Sequence, residues 1–145
     1  NELSLTVETF KWDAETGKAT SLFETATLTE NEKAEETFNS AAEILVHPSG
    51  NWIYCSNRGH DSVTVFRGSK DGSLKVIQKQ PIRGAFPRNI NLTTDGEWLL
   101  AAGQESNTIS AHRIDPKNGK LIYQRGGITN IPNPICLLFG KNGGS

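Results

Sequence analysis

The sequence predicts an all-β chain of four-stranded antiparallel propeller blades, and three observations predict it. A unit of about 46 residues recurs: Gly50 returns as Gly96, Trp52 as Trp98 and Val63 as Ile109, while Asp71-Gly72-Ser73-Leu74 returns as Asn118-Gly119-Lys120-Leu121 at a spacing of 47. Each period holds four short segments rich in β-branched and apolar residues that alternate with period 2. No helical periodicity runs through the unit. A repeat of this length with four strands per period is the pattern of a propeller blade. An open β-solenoid or a sandwich is the rival, and a sandwich needs no such repeat.

The elements follow in order. Residues 3–26 match only the later half of a unit, strands C and D, joined by the turn Asp13-Ala14-Glu15-Thr16-Gly17-Lys18. The first full blade spans 42–80. Its strands are expected at 43–47, 52–56, 62–66 and 74–78, with a loop at 57–61 and an Asp71-Gly72 turn that supplies positive φ. The second full blade spans 88–126. Residues 134–139 match a strand A alone, and 141–145 read as a flexible tail by composition. The chain is therefore one partial domain, 1–145, and a partial arc, because propellers close with about 4–8 blades. The missing blades of the same chain are its expected partners.

Composition narrows the function classes. Hydrophobic residues are 35% and charged residues 21%, which suits a globular chain. A net charge of −1 gives no electrostatic case for nucleic acid or an anionic membrane surface. No apolar run approaches the roughly 20 residues that span a bilayer. There is no signal-peptide pattern and no methionine, so the true start is expected upstream. Cys55 and Cys136 both lie in apolar, strand-like stretches and read as small buried hydrophobes. With no CxxC and no His/Cys cluster, a structural zinc site is not expected. The sequon Asn91-Leu92-Thr93 falls in an inner strand and reads as coincidence.

Blade topology sorts the polar residues. The A–B and C–D turns lie on one face of the disc and read as structural. The other face gathers Glu43 and Arg88 at the starts of the two A strands. It also carries Asn57, Arg58 and His60 in one B–C loop, and Gln104 and Asn107 in the next. The 28–41 connection lies there too, and is about eight residues longer than the repeat requires. Glu43 and Arg88 are read as near-equivalent. An arginine fork suits a carboxylate or phosphate, so this face is a candidate site for a small anionic ligand. The bland alternative is an ion pair between blades. His47 and His112 lie inside strands and read as packing residues.

Three stretches carry a family likeness. They are Ser40-Ala41-Ala42-Glu43-Ile44, His47-Pro48-Ser49-Gly50 and Tyr54-Cys55-Ser56-Asn57-Arg58-Gly59-His60-Asp61-Ser62. With Phe86-Pro87-Arg88-Asn89, Ala102-Gly103-Gln104-Glu105-Ser106-Asn107 and Asn133-Pro134-Ile135-Cys136-Leu137, they resemble the lactonase-type seven-bladed propellers, among them the propeller 6-phosphogluconolactonases. The likeness runs over residues 5–139. It implies a chain at least roughly twice this length. It also implies hydrolysis of 6-phosphogluconolactone in the cytoplasm, within the pentose phosphate pathway, without metal or cofactor. Fungal carboxymuconate-cyclising enzymes are relatives and offer an alternative reaction, and a non-catalytic binding propeller is a third reading. The positions matching the family's motifs are Glu43, Arg58, His60, Arg88 and Gln104. Glu43 or His60 would act as general base, Arg58 and Arg88 would bind the anion and the oxyanion, and Asn57, Gln104 and Asn107 would contact substrate. The 145 residues alone are expected to be inactive.

Overall fold

The computed structural model describes residues 1–140, and the expected tail at 141–145 lies outside the described residues. Strands β1 (Thr6–Asp13) and β2 (Lys18–Ala26) form a two-stranded sheet. Strands β3 (Ser40–Val46), β4 (Trp52–Arg58), β5 (Ser62–Gly68) and β6 (Leu74–Pro81) form a four-stranded antiparallel sheet in sequence order. Strands β7 (Pro87–Leu92), β8 (Trp98–Gly103), β9 (Thr108–Ile114) and β10 (Leu121–Asn130) form the second. All neighbouring strands are antiparallel, as short hairpin connections require.

Period-2 alternation explains why the middle blade is buried on both faces. Every residue of β4 is buried. Trp52 and Tyr54 point, with Val63 and Val65, into a core shared with Ile90, Leu99 and Ala101 of the next blade. Ile53 and Cys55 point the other way and, with Phe66, meet Val7 and Leu28. Two cores therefore clamp one sheet, and each large apolar side chain so buried contributes about 1.5–3 kcal/mol. Polar latches join the two full blades. The Tyr54 hydroxyl donates to the Gly119 carbonyl at 2.9 Å. The Gln78 amide donates to the Leu121 carbonyl at 2.9 Å and accepts from the Leu121 N–H at 2.7 Å. His47 Nε2 donates to the Gly96 carbonyl at 2.9 Å, so this histidine is a blade-to-blade contact.

One backbone feature recurs in all three units. Leu5, Asp61 and Asn107 have φ of 56°, 52° and 55°, just before strands β1, β5 and β9. The carbonyl of each accepts an N–H from the end of its own unit: Thr27 at 2.8 Å, Ile82 at 3.0 Å and Ile131 at 2.9 Å.

Three expectations are corrected, and one connection gains an element. The 28–41 connection contains a short helix, α1 (Glu30–Ala34), started by a Thr29–Glu32 capping box. Burial opposes the charge on Glu32, but Lys79 of β6 and Thr29 outweigh it and hold that carboxyl at about 2, pinning the helix to the blade. Residues 134–139 form no strand, because no strand is present beside them to complete a ladder among the described residues. They are tied to β7 by side chains instead: Asn89 accepts from the Leu137 N–H and Asn91 donates to the Leu137 carbonyl, both at 2.8 Å. Cys136 lies on that uncovered segment and is exposed, whereas Cys55 is buried. Strand β10 continues past 126 to Asn130, with residues 124–127 bulging out between Tyr123 and Ile128.

His112 occupies the position of Phe66 one repeat earlier and is fully buried. Its Nε2 meets the Ser110 hydroxyl at 3.1 Å, while Nδ1 has no hydrogen-bond partner. Burial pushes the imidazole down to about 4, the Arg83 charge adds to this, and the Ile82 carbonyl opposes it. The fold keeps the ring neutral, whereas the unfolded chain takes a proton near 6.5. Stability is thus intact above 6.5 and falls as pH drops toward 4, by roughly 3 kcal/mol over the window. His112→Phe is expected to remove this dependence, read as a smaller gap between urea midpoints at pH 7 and pH 5. An unchanged gap would assign the acid sensitivity elsewhere.

Candidate active site

A cavity of about 480 Å³ opens where the first residues of β3 and β7 meet the turn preceding β1. Glu43, Arg58 and Arg88 line it together with Glu2, Ala41 and Glu8. Thus three of the seven expected site residues come together. The side formed by Thr6, Val7, Glu8 and Phe10 belongs to β1, which among the described residues pairs only with β2.

The two arginines differ in setting. Arg58 ends β4 and is 8% exposed. Its Nη2 donates to the Ala41 carbonyl at 3.1 Å and to the Glu2 carboxylate, with which it forms an ion pair. Its Nε is buried with no partner. Its guanidinium lies 5.3 Å from the Phe86 ring centroid. Arg88 is exposed, and among the described residues no carboxylate lies within 4.0 Å of it. The bland alternative, a Glu43–Arg88 ion pair between blades, is therefore absent there. The repeat explains why: counting 46 residues from Glu43 reaches Asn89, not Arg88. The Asn89 amide donates to Glu43 Oε2 at 2.6 Å and orients it, and the Glu43 N–H donates to the Ser56 hydroxyl at 3.0 Å.

The other four expected residues lie elsewhere. Asn57 is fully buried, its amide donating to the Ser62 and Thr64 hydroxyls at 3.1 and 2.9 Å. It joins β4 to β5 inside the sheet and lacks access to the cavity. His60 sits in the turn, its N–H donating to the Asn39 side chain at 2.9 Å and its Nδ1 meeting Ser62 at 2.8 Å. Gln104 is the counterpart of Arg58, and of Glu2 before it, each three residues ahead of a left-handed residue. Its N–H donates to the Phe86 carbonyl at 3.1 Å, and its buried Oε1 has no partner. Asn107 accepts the Asn133 N–H at 2.8 Å and holds the chain after β10. The loop residues look like ligands in sequence because polar loop residues often are. Here β4 runs further than expected and absorbs Asn57, while His60, Gln104 and Asn107 stay in turns and bond to neighbouring segments of the chain. Glu2 and Asn89 were missed, although both stand at repeat positions of candidate residues. Among the described residues, no three His, Cys, Asp or Glu side chains gather to hold a metal ion.

A family model described as a seven-bladed β-propeller lactonase matches residues 1–139. A Formosa agariphila 6-phosphogluconolactonase is 40% identical over 92 residues, 61% of this chain and 26% of that protein. A Pectobacterium carotovorum 6-phosphogluconolactonase is 31% identical over 121 residues, 83% of this chain and 36% of the relative. A crystal structure from Lactobacillus plantarum superposes with a TM-score of 0.85 at 30% identity, covering 93% of this chain and 38% of that one. The chain thus spans between a quarter and two-fifths of the length of these proteins. The match over nearly the whole chain and the four-stranded blades agree: the chain belongs to the family of seven-bladed β-propeller lactonases.

Proposed function

We propose that this segment carries one wall of the active site of a lactone hydrolase acting on an anionic sugar lactone, 6-phosphogluconolactone. The observation that carries the reading is the unpaired Arg88 guanidinium on the same cavity wall as an oriented Glu43 carboxylate. The arginine fork binds the phosphate. Arg58, held in the wall by the Ala41 carbonyl and the Glu2 carboxylate, places a fixed positive charge beside the oxyanion as it develops. Glu43 takes a proton from water as its oxygen bonds to the carbonyl carbon. The ring C–O bond then breaks, and that proton leaves with the alkoxide as the new hydroxyl. Names of the relatives support the substrate, and further blades of the same protein complete the pocket. A phosphorylated sugar does not cross a bilayer unaided, which supports a cytoplasmic reaction.

Arg88→Ala in the full-length protein is expected to lower kcat/KM for the phosphorylated lactone by roughly ten- to a hundredfold, the worth of a charged hydrogen-bonded contact. The unphosphorylated lactone should change by less than about threefold, since it lacks the group this contact serves. Equal losses on the two substrates would remove Arg88 from phosphate binding.

A further inference from the structure

We infer that Asp61 and Phe86 are the positioning residues that hold the two cavity arginines in place. This rests on the lactonase reading only where it speaks of rates. Asp61 Oδ1 accepts the Phe86 N–H at 2.7 Å. The Phe86 carbonyl accepts the Arg88 N–H at 2.8 Å and the Gln104 N–H at 3.1 Å. Both backbone polar groups of Phe86 are therefore fixed, one by the turn before β5 and the other across Pro87, at the first residues of β7. That fixes where Arg88 leaves the backbone. The Phe86 ring meanwhile lies under the Arg58 guanidinium at 5.3 Å and stacks on Phe38 at 6.1 Å. A cation over an aromatic face is attracted by the ring's quadrupole.

The next repeat shows what the backbone fixture needs by itself. There Asn107 accepts the Asn133 N–H at 2.8 Å, and Asn133 has φ 47°. Asparagine tolerates the left-handed region well. Phe86 has φ 61°, a conformation a bulky side chain rarely adopts. A strained residue kept where a small polar one would serve points to a use for its ring. The ring's partner is Arg58, and position 133 has Gln104 rather than an arginine in the corresponding place.

The test uses the full-length protein and two readouts. Peptide mapping after phenylglyoxal treatment gives the rate of Arg58 modification against Arg113 as internal reference. Lactone hydrolysis gives kcat and KM. Phe86→Leu is expected to speed Arg58 modification severalfold and to lower kcat more than it raises KM, as misplacing an oxyanion-stabilising group does. Phe86→Tyr, which keeps a ring face, should restore both. Asp61→Asn keeps the acceptor and should match wild type, whereas Asp61→Leu should resemble Phe86→Leu. Unchanged Arg58 modification in Phe86→Leu, or equal behaviour of Asp61→Asn and Asp61→Leu, overturns the inference. Faster modification with unaltered hydrolysis upholds the positioning and instead overturns the use of Arg58 in the reaction.

Discussion

Glu43→Gln in the full-length protein is expected to lower kcat for lactone hydrolysis by roughly 10²–10⁴-fold, the usual contribution of a positioned general base. The substitution is close to isosteric, and its side-chain oxygen can still accept the Asn89 amide that now donates to Glu43 Oε2 at 2.6 Å. What is lost is the ability to take a proton, so KM should stay within a few fold. The rate must be read after subtracting spontaneous hydrolysis. His60 supplies the comparison. It lies in the turn beyond β4, bonded to Ser62 and outside the cavity, so His60→Asn should keep most of the rate. A large loss in His60→Asn with an active Glu43→Gln would reverse the assignment of the base.

The blades were legible because a repeat writes itself several times. Trp52 and Trp98, or Gly50 and Gly96, mark the same turn twice, and alternation in 62–66 needs no tertiary information to read. The site was legible in part. Blade topology puts Glu43, Arg58 and Arg88 on the cavity face, but reading Arg88 as the near-equivalent of Glu43 hides Asn89, the residue that holds the carboxylate. Asn57 shows the limit of loop reasoning: whether a polar residue at a strand end faces a cavity or its own sheet depends on one further residue of pairing. Residues 134–139 have strand-like composition, yet a strand needs a neighbour that the pattern of one segment does not reveal. Two signals were present and readable. Thr29 and Glu32, three residues apart, are the capping box that starts α1, and Asp61 and Asn107 recur at 46.

Gly59→Ala is expected to destabilise the fold by roughly 3 kcal/mol or more, the sum of a backbone and a packing cost. Gly59 has φ 90°, so a side chain there is strained before it meets anything. An added Cβ would then stand 1.9 Å from the Phe38 carbonyl oxygen and 3.0 Å from Asn39 Oδ1. The first of these is backbone and cannot swing away. Moving it displaces the segment that pairs Ser40 with Arg58 and Ala41 with Asn57. It also breaks the bond from the His60 N–H to Asn39. Gly50 separates the two costs. Its φ is 74°, but nothing lies within 4 Å of its Cβ direction, so Gly50→Ala should lose only about 1 kcal/mol. Urea unfolding of the two variants measures the difference, which is the steric share. The segment that Gly59→Ala displaces also carries the Ala41 carbonyl that accepts from Arg58 at 3.1 Å, so stability and the arginine's placement should fall together. Equal midpoints for the two variants would mean that the connection yields at no cost. The glycine of the Asn-Arg-Gly-His motif would then serve the turn alone and not the cavity.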